Sequence, residues 1–188
     1  MKRAHPAATV AVWATDEHRL GVLPVVRRVW APRGQRPIAS VCRRSQWLYV
    51  YGFVRPRTGQ TWWSLLPTVS AEAFSPALAA FARDEGICPD RRAVLVLDQA
   101  GWHTAKGLTV PEGIHLVFLP PYSPEVQPAE RLWELVDAPV ANRTFPDLEA
   151  LEEVPLQRCR ALERQRQAIK TRTHYHWWPH ERRPSKRE

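Results

Sequence analysis

The stretch RRAVLVLDQAGWH, Arg91 to His103, decides how the rest of the chain is read. A strand with one wet face would alternate apolar and polar residues. The unbroken run Ala93-Val-Leu-Val-Leu97 instead reads as a strand covered on both faces, which requires a parallel neighbour and flanking layers. The run stops abruptly at Asp98. That is the carboxyl end of a buried strand, where open α/β sheets gather their functional groups.

Working outward toward the N-terminus, SAEAFSPALAAFARDE (70–85) is alanine-rich, and Phe74, Leu78 and Phe81 follow one another at spacings of four and three, on one helical face. Pro76 predicts that this helix begins near it or bends there. Before it, WLYVYGFV (47–54) and TWWSLL (61–66) are aromatic and β-branched and are separated by turn residues, the pattern of a hairpin. ATVAVWATDEHRL (8–20) reads as a further strand that runs into Asp16-Glu17, with Asp16 at or near its end. Three antiparallel strands therefore open the fold. Toward the C-terminus, Thr104 to Leu108 predicts one short turn, and GIHLVFLPP (113–121) reads as a second buried strand stopped by its own prolines. ERLWELVDAPV (130–140) turns Leu132, Trp133 and Val136 to one side of a helix that Pro139 ends, and FPDLEALEEV (145–154) predicts another. The order describes a single α/β domain over residues 1–155. A basic helix or tail, partly disordered, is expected over 156–188.

Charge narrows the partners. The 188 residues carry 27 Lys+Arg against 19 Asp+Glu, a net charge of +8, and 23 of the basic residues are arginine. A polyanion, and nucleic acid above all, fits that balance. VVRRVWAPRGQRP (25–37) reads as an exposed cationic loop that offers Arg27, Arg28, Arg33 and Arg36 to phosphates. The three cysteines are far apart and lack C-x-x-C spacing, so neither a disulfide framework nor a zinc site is indicated. No apolar run approaches the roughly 20 residues of a membrane span. A cytoplasmic protein is expected.

Three acids stand out by placement: Asp16 on the first strand, Asp98 closing the buried strand, and Glu130 at a helix start. If the first and fourth strands are parallel neighbours, Asp16 and Asp98 come side by side. The loop LPPYSPEVQP (119–128), with four prolines, has few backbone freedoms and can deliver Glu130 to a fixed point. Three converging carboxylates repel one another and call for hard cations, with Mg²⁺ the natural choice and a pair of ions suited to phosphoryl transfer. Each acid alone also has an ordinary reading, as a strand-end cap, a solvated pair or a helix N-terminal charge. Pattern alone leaves a basic α/β domain with an acidic site.

The segment VLVLDQAGWHTAKGLTVPEGIHLVFLPPYSPEVQPAERLWEL (94–135) resembles the second half of the catalytic domain of bacterial insertion-sequence transposases related to mariner elements, in the DDE endonuclease superfamily. The shared marks are Asp98-Gln99-Ala100 with His103, and the proline loop ending on Glu130. Gln127 stands where the family has Asn. DEHRLGVLPVVRRVWAPRGQRP (16–37) resembles the family's first catalytic block, and 31 residues separate Asp98 from Glu130, near the family's interval. The resemblance implies an RNase H-like fold: a mixed five-stranded sheet, three antiparallel strands then parallel ones, flanked by helices. It implies Asp16, Asp98 and Glu130 as catalytic and metal-binding acids, with two Mg²⁺ ions for which Mn²⁺ substitutes. The implied chemistry is cleavage of double-stranded DNA at the terminal inverted repeats of an element, then strand transfer into target DNA. His103 and Tyr122 join the four arginines as DNA contacts, and Glu130 rather than Glu134 is the third acid. The expected active complex is a homodimer of a bacterial, nucleoid-associated protein with a separate or frameshift-fused helix-turn-helix region. The alternatives are an inactive remnant that keeps only nonspecific DNA binding, and a generic RNase H-like nuclease.

Overall fold

The computed structural model describes residues 7–35, 38 and 45–179. Five strands form one sheet: β1 (Thr9–Gly21), β2 (Trp47–Arg55), β3 (Gln60–Leu66), β4 (Arg91–Leu97) and β5 (Ile114–Phe118). Their order is β3-β2-β1-β4-β5, with β1–β2 and β2–β3 antiparallel and β1–β4 and β4–β5 parallel. The parallel partner that the apolar run of β4 demanded is β1 on one side and β5 on the other.

Strand β1 passes from one neighbour to another midway. Its parallel pairing with β4 covers Thr9 to Ala14, and its antiparallel pairing with β2 covers Ala14 to Gly21. Asp16 consequently lies inside β1 and not at its end, contrary to the sequence expectation. The reason is that β2 keeps supplying hydrogen-bond partners after β4 has stopped, so the strand goes on past its acidic pair. Asp16 lies just past the point where the pairing with β4 ends, and it lines the cleft described below.

Successive side chains of a strand point to opposite faces, and two cores result. Val12 and Ala14 of β1 pack with Val50, Val96, Leu132, Val136, Leu162 and Trp178 on one face. Trp13 packs with Tyr51, Phe53, Leu95, Phe74 and Phe81 on the other. In the second core, Phe53 stacks on Phe81 at 4.5 Å and Trp13 meets the same ring edge-on at 5.0 Å. Helix α1 (Ala71–Asp84) covers this face. It starts at Ser70, whose Oγ accepts from the Ala73 amide at 3.2 Å, and runs through Pro76 rather than starting near it. The turn containing the proline gains a bond from the Ser75 hydroxyl, which donates to the Ala71 carbonyl at 2.6 Å.

The opposite face is covered by α2 (Glu130–Asp137), α3 (Leu148–Glu163) and α4 (Arg166–Thr173). The expected boundary at 155 falls inside α3, which carries core residues on both sides of it: Leu151 before, Cys159 and Leu162 after. Ile169 and Trp178 are buried as well, so the described part of the expected tail is packed into the core. The remainder of that tail, 180–188, lies outside the described residues. Strand β5 also departs from its reading as a buried strand. It forms the sheet edge, with Val117 and Phe118 about two-fifths exposed, because among the described residues no strand pairs on its outer side. Residues 104–108 form turns and no helix. Among the described residues no helix is long and apolar enough to cross a membrane.

Candidate active site

Extending the parallel register Ala14–Val96 by two residues sets Asp16 level with Asp98, the first residue after β4. The third acid arrives from the proline loop, which makes a single 3₁₀ turn at Pro124–Val126 before α2 begins on Glu130. Asp16, Asp98 and Glu130 line one cleft of about 470 Å³, together with Gln99, Pro121 and Tyr122.

The two aspartates are each held by protein donors, and Glu130 is placed by its loop. The Trp133 indole N–H donates to Asp16 Oδ2 at 2.8 Å, and its ring lies against His18 at 5.0 Å and 14°. His18 Nε2 in turn lies 2.7 Å from Asp137 Oδ1 at the end of α2. Gly52, paired with Asp16 across the sheet, leaves room for this arrangement: a Cβ there would meet the Trp133 and Trp63 rings at 3.0 Å. Asp98 Oδ1 accepts from the Ala100 amide at 3.0 Å and lies 2.8 Å from His103 Nδ1. The Glu130 loop is tied down by Gln127, buried, whose Nε2 donates to the Thr15 carbonyl at 2.9 Å. Gln99 Nε2 donates to Leu119 O at 2.9 Å and closes the loop's other end. The longer amide at position 127 thus pins the loop directly to the strand that carries Asp16.

Two of the expected DNA contacts, His103 and Arg27, are engaged by the fold. His103 is 2% exposed and braces Asp98, so it is corrected from a DNA contact to a buried support. Arg27 spends its guanidinium on the fold, donating to the Glu134 carbonyl at 3.0 Å and lying 3.6 Å from Asp137 Oδ2. Arg28 and Arg33 are exposed, and Arg36 lies outside the described residues. Tyr122 is fully exposed at the lip of the cleft, with φ 56°. Glu134 pairs with Arg172 at 2.8 Å and is absent from the cleft lining. Sequence reasoning missed Glu17, His18, Trp133 as a hydrogen-bond donor, and Asp137. The one available signal was Trp133 following Glu130 by three residues, on the same helical face.

The electrostatics are those of an under-compensated acidic site. Burial, and then the charge of Glu130, push the Asp16 carboxyl up to about 7. Burial, and then Asp16 and Asp98, push Glu17 up to about 9. Glu130 is raised by burial, with His18 opposing and Asp98 adding to the shift. Asp98 alone is lowered, by the hydrogen bond from His103. Among the described residues no three His, Cys, Asp or Glu side chains stand in a ready metal cage. The donor set is nevertheless all carboxylate oxygen with unbalanced charge, which suits a hard divalent cation.

A pH dependence follows. Asp16 and Glu17 have folded-state values above their unfolded ones, so the folded protein binds more protons between pH about 4 and about 9. Folding stability contributed by these groups is therefore lost as pH rises through that window. The melting temperature is expected to fall by about 5 °C or more between pH 6 and pH 9, and added Mg²⁺ is expected to recover more of it at pH 8.5 than at pH 6. Thermal scans with and without the ion check this. A melting temperature indifferent to both would contradict the charge balance described.

Comparison with known proteins agrees with this architecture. The family described as DDE superfamily endonuclease matches residues 11–152. The y4pE/y4sA protein of Sinorhizobium fredii is 44% identical over 104 residues, 54% of this chain and 74% of its own length. Among solved structures, the Mos1 mariner paired-end complex with Mn superposes with a TM-score of 0.58 at 16% identity, over 87% of this chain and 56% of that one. The paired-end complex with Mg gives 0.56 at 18% identity, over 87% and 53%. The pre-cleavage Mos1 transpososome gives 0.56 at 14%, over 94% and 59%. The chain spans a little over half the length of those solved proteins. At such identities the likeness is one of fold, and the fold is RNase H-like.

Proposed function

This chain belongs to the DDE endonuclease superfamily, and from that membership we propose that it is the catalytic domain of a transposase that cleaves DNA at element ends and transfers the freed strand to a target. The observation that carries the reading is the meeting of Asp16, Asp98 and Glu130 in one cleft. Enzymes of this superfamily use divalent metals. Here the three acids would hold two Mg²⁺ ions, or Mn²⁺ in their place. When bound, such ions activate the attacking oxygen and offset charge at the scissile phosphate.

The protein's own part is binding and orientation. Asp98 Oδ1 and Asp16 Oδ2 are each occupied by protein donors, which leaves one oxygen of each aspartate for the cleft. The proline loop fixes Glu130 opposite them. Arg28 and Arg33 supply phosphate contacts, and Tyr122 at the rim offers a ring on which a base can stack. The complete machine is proposed as a homodimer with a helix-turn-helix region to recognise the ends. Against an inactive remnant stand the three acids together with their intact hydrogen-bonded supports.

The test is cleavage of supercoiled DNA, and of duplexes bearing the element's terminal repeats, with Mg²⁺, with Mn²⁺ and with chelator. Divalent-dependent nicking is expected. Binding should weaken steeply with salt, as phosphate contacts require. Salt-sensitive binding without any cleavage, in either ion and with the end-recognition region supplied, would return the chain to the remnant reading.

A further inference from the structure

Asp16 and Glu17 are consecutive in β1, so they face opposite sides of the sheet. Asp16 faces the cleft and Trp133. Glu17 faces the α1 side, where it is paired across the sheet with Tyr51 and approaches His103. Its Oε2 is 3.5 Å from His103 Nε2, and the other ring nitrogen, Nδ1, is 2.8 Å from Asp98 Oδ1. The ring is wedged between Phe74 at 4.9 Å and Trp102 at 5.8 Å. Glu17 Oε2 and His103 Nε2 are both buried, and among the described residues neither has a hydrogen-bond partner.

We propose that Glu17 is a positioning residue for Asp98 and acts through His103. The proposal rests on the reading of Asp98 as a metal ligand. A hydrogen-bond count supports it. His103 Nδ1 must donate to Asp98, because a carboxylate only accepts. Nε2 is then an acceptor in a neutral ring or a second donor in a cationic one. A carboxyl group satisfies either case, protonated for the first and ionised for the second, whereas an apolar neighbour satisfies neither. A short rotation closes the 3.5 Å gap and removes two unpaired buried atoms, a change that burial favours. With Nε2 engaged, the ring cannot exchange its two nitrogens by flipping. Asp98 Oδ1 stays occupied, and its other oxygen is kept for the cleft. Supports of this kind hold metal ligands in orientation.

Two variants separate this role from charge. Glu17→Gln removes the charge and keeps a donor for Nε2, and Glu17→Leu removes both. Calorimetric titration with Mn²⁺ is expected to show about a tenfold weaker affinity for Glu17→Leu, with Glu17→Gln close to the parent. NMR of protein with ¹⁵N-labelled histidine is expected to show a slowly exchanging His103 ring N–H in the parent and in Glu17→Gln, and its loss in Glu17→Leu. Equal weakening in both variants would make the effect one of charge and overturn the proposal. Parent-like affinity with a retained ring signal in Glu17→Leu would overturn it as well. If the parent binds no Mn²⁺, the metal reading fails by itself. The ring signal then decides the positioning role alone: its loss only in Glu17→Leu supports that role, and its survival there ends it.

Discussion

Replacing Asp98 by asparagine is expected to lower divalent-dependent DNA cleavage by on the order of 10³-fold or more, while the melting temperature stays within a few degrees of the parent. The two effects separate because Asp98 contributes little to the core. It follows the last residue of β4, and its side chain is half exposed. Asparagine keeps an oxygen where Oδ1 now accepts from the Ala100 amide and faces His103, so the local turn survives. What disappears is one negative charge and the oxygen left for a cation. Glu134→Gln is the matched control, one helical turn beyond Glu130. The Glu134 carboxylate pairs with exposed Arg172 on the solvent side, and such surface pairs are worth about 0–1 kcal/mol. Cleavage by Glu134→Gln should match the parent. If Asp98→Asn still cleaves within tenfold of the parent in Mg²⁺, the assignment of Asp98 fails, whatever the other two acids do.

What could be read from the sequence was set by local pattern. The apolar run of β4 announced its parallel neighbours, and the hairpin of β2 and β3 followed from two aromatic runs around turn residues. Asp98 and Glu130 stand out as candidates because each sits where a regular element begins or ends. Asp16 stands out as a candidate but is set at or near the strand's end, since the length of β1 depends on how far β2 accompanies it, a property of another segment. His103 reads as a surface residue until two carboxylates from β1 and the end of β4 enclose it, and Glu17 reads as half of a solvated acidic pair for the same reason. The C-terminal helices were underrated because their arginines and glutamines outnumber a thin apolar stripe. Leu162, Ile169 and Trp178 are spaced by seven and nine residues, too sparsely to stand out, yet all three are buried. Burial of a few residues scattered along these segments is a tertiary fact that composition does not encode.

That packing underlies the second large effect. Gly59→Ala is expected to destabilise the fold by about 2–5 kcal/mol, the sum of left-handed strain and a steric overlap. Gly59 closes the β2–β3 turn with φ +71°, and its amide donates to the Arg55 carbonyl at 2.9 Å. A Cβ built there would lie 1.8 Å from the Arg166 carbonyl oxygen and 2.9 Å from the Lys170 amide, both backbone atoms of α4. Backbone cannot step aside as a flexible side chain can, so the turn or the helix must move. For a chain of this length the melting temperature should drop by about 5–15 °C. Gly34→Ala isolates the strain component: φ is +85°, but among the described residues nothing lies within 4 Å of the added carbon, so a cost near 1 kcal/mol is expected. The difference between the two variants measures how firmly α4 is seated on the hairpin. It bears on the site as well, because Arg131 Nε, next to Glu130, donates to Tyr175 Oη at 3.0 Å and Arg172 holds Glu134. If α4 belongs to the same cooperative unit as the cleft, Gly59→Ala loses stability in a single transition and Mg²⁺ raises its melting temperature as it does the parent's. If residues beyond 155 were a loosely attached tail, the substitution would merely release them. The main transition would then stay in place, and Gly59→Ala would cost no more than Gly34→Ala.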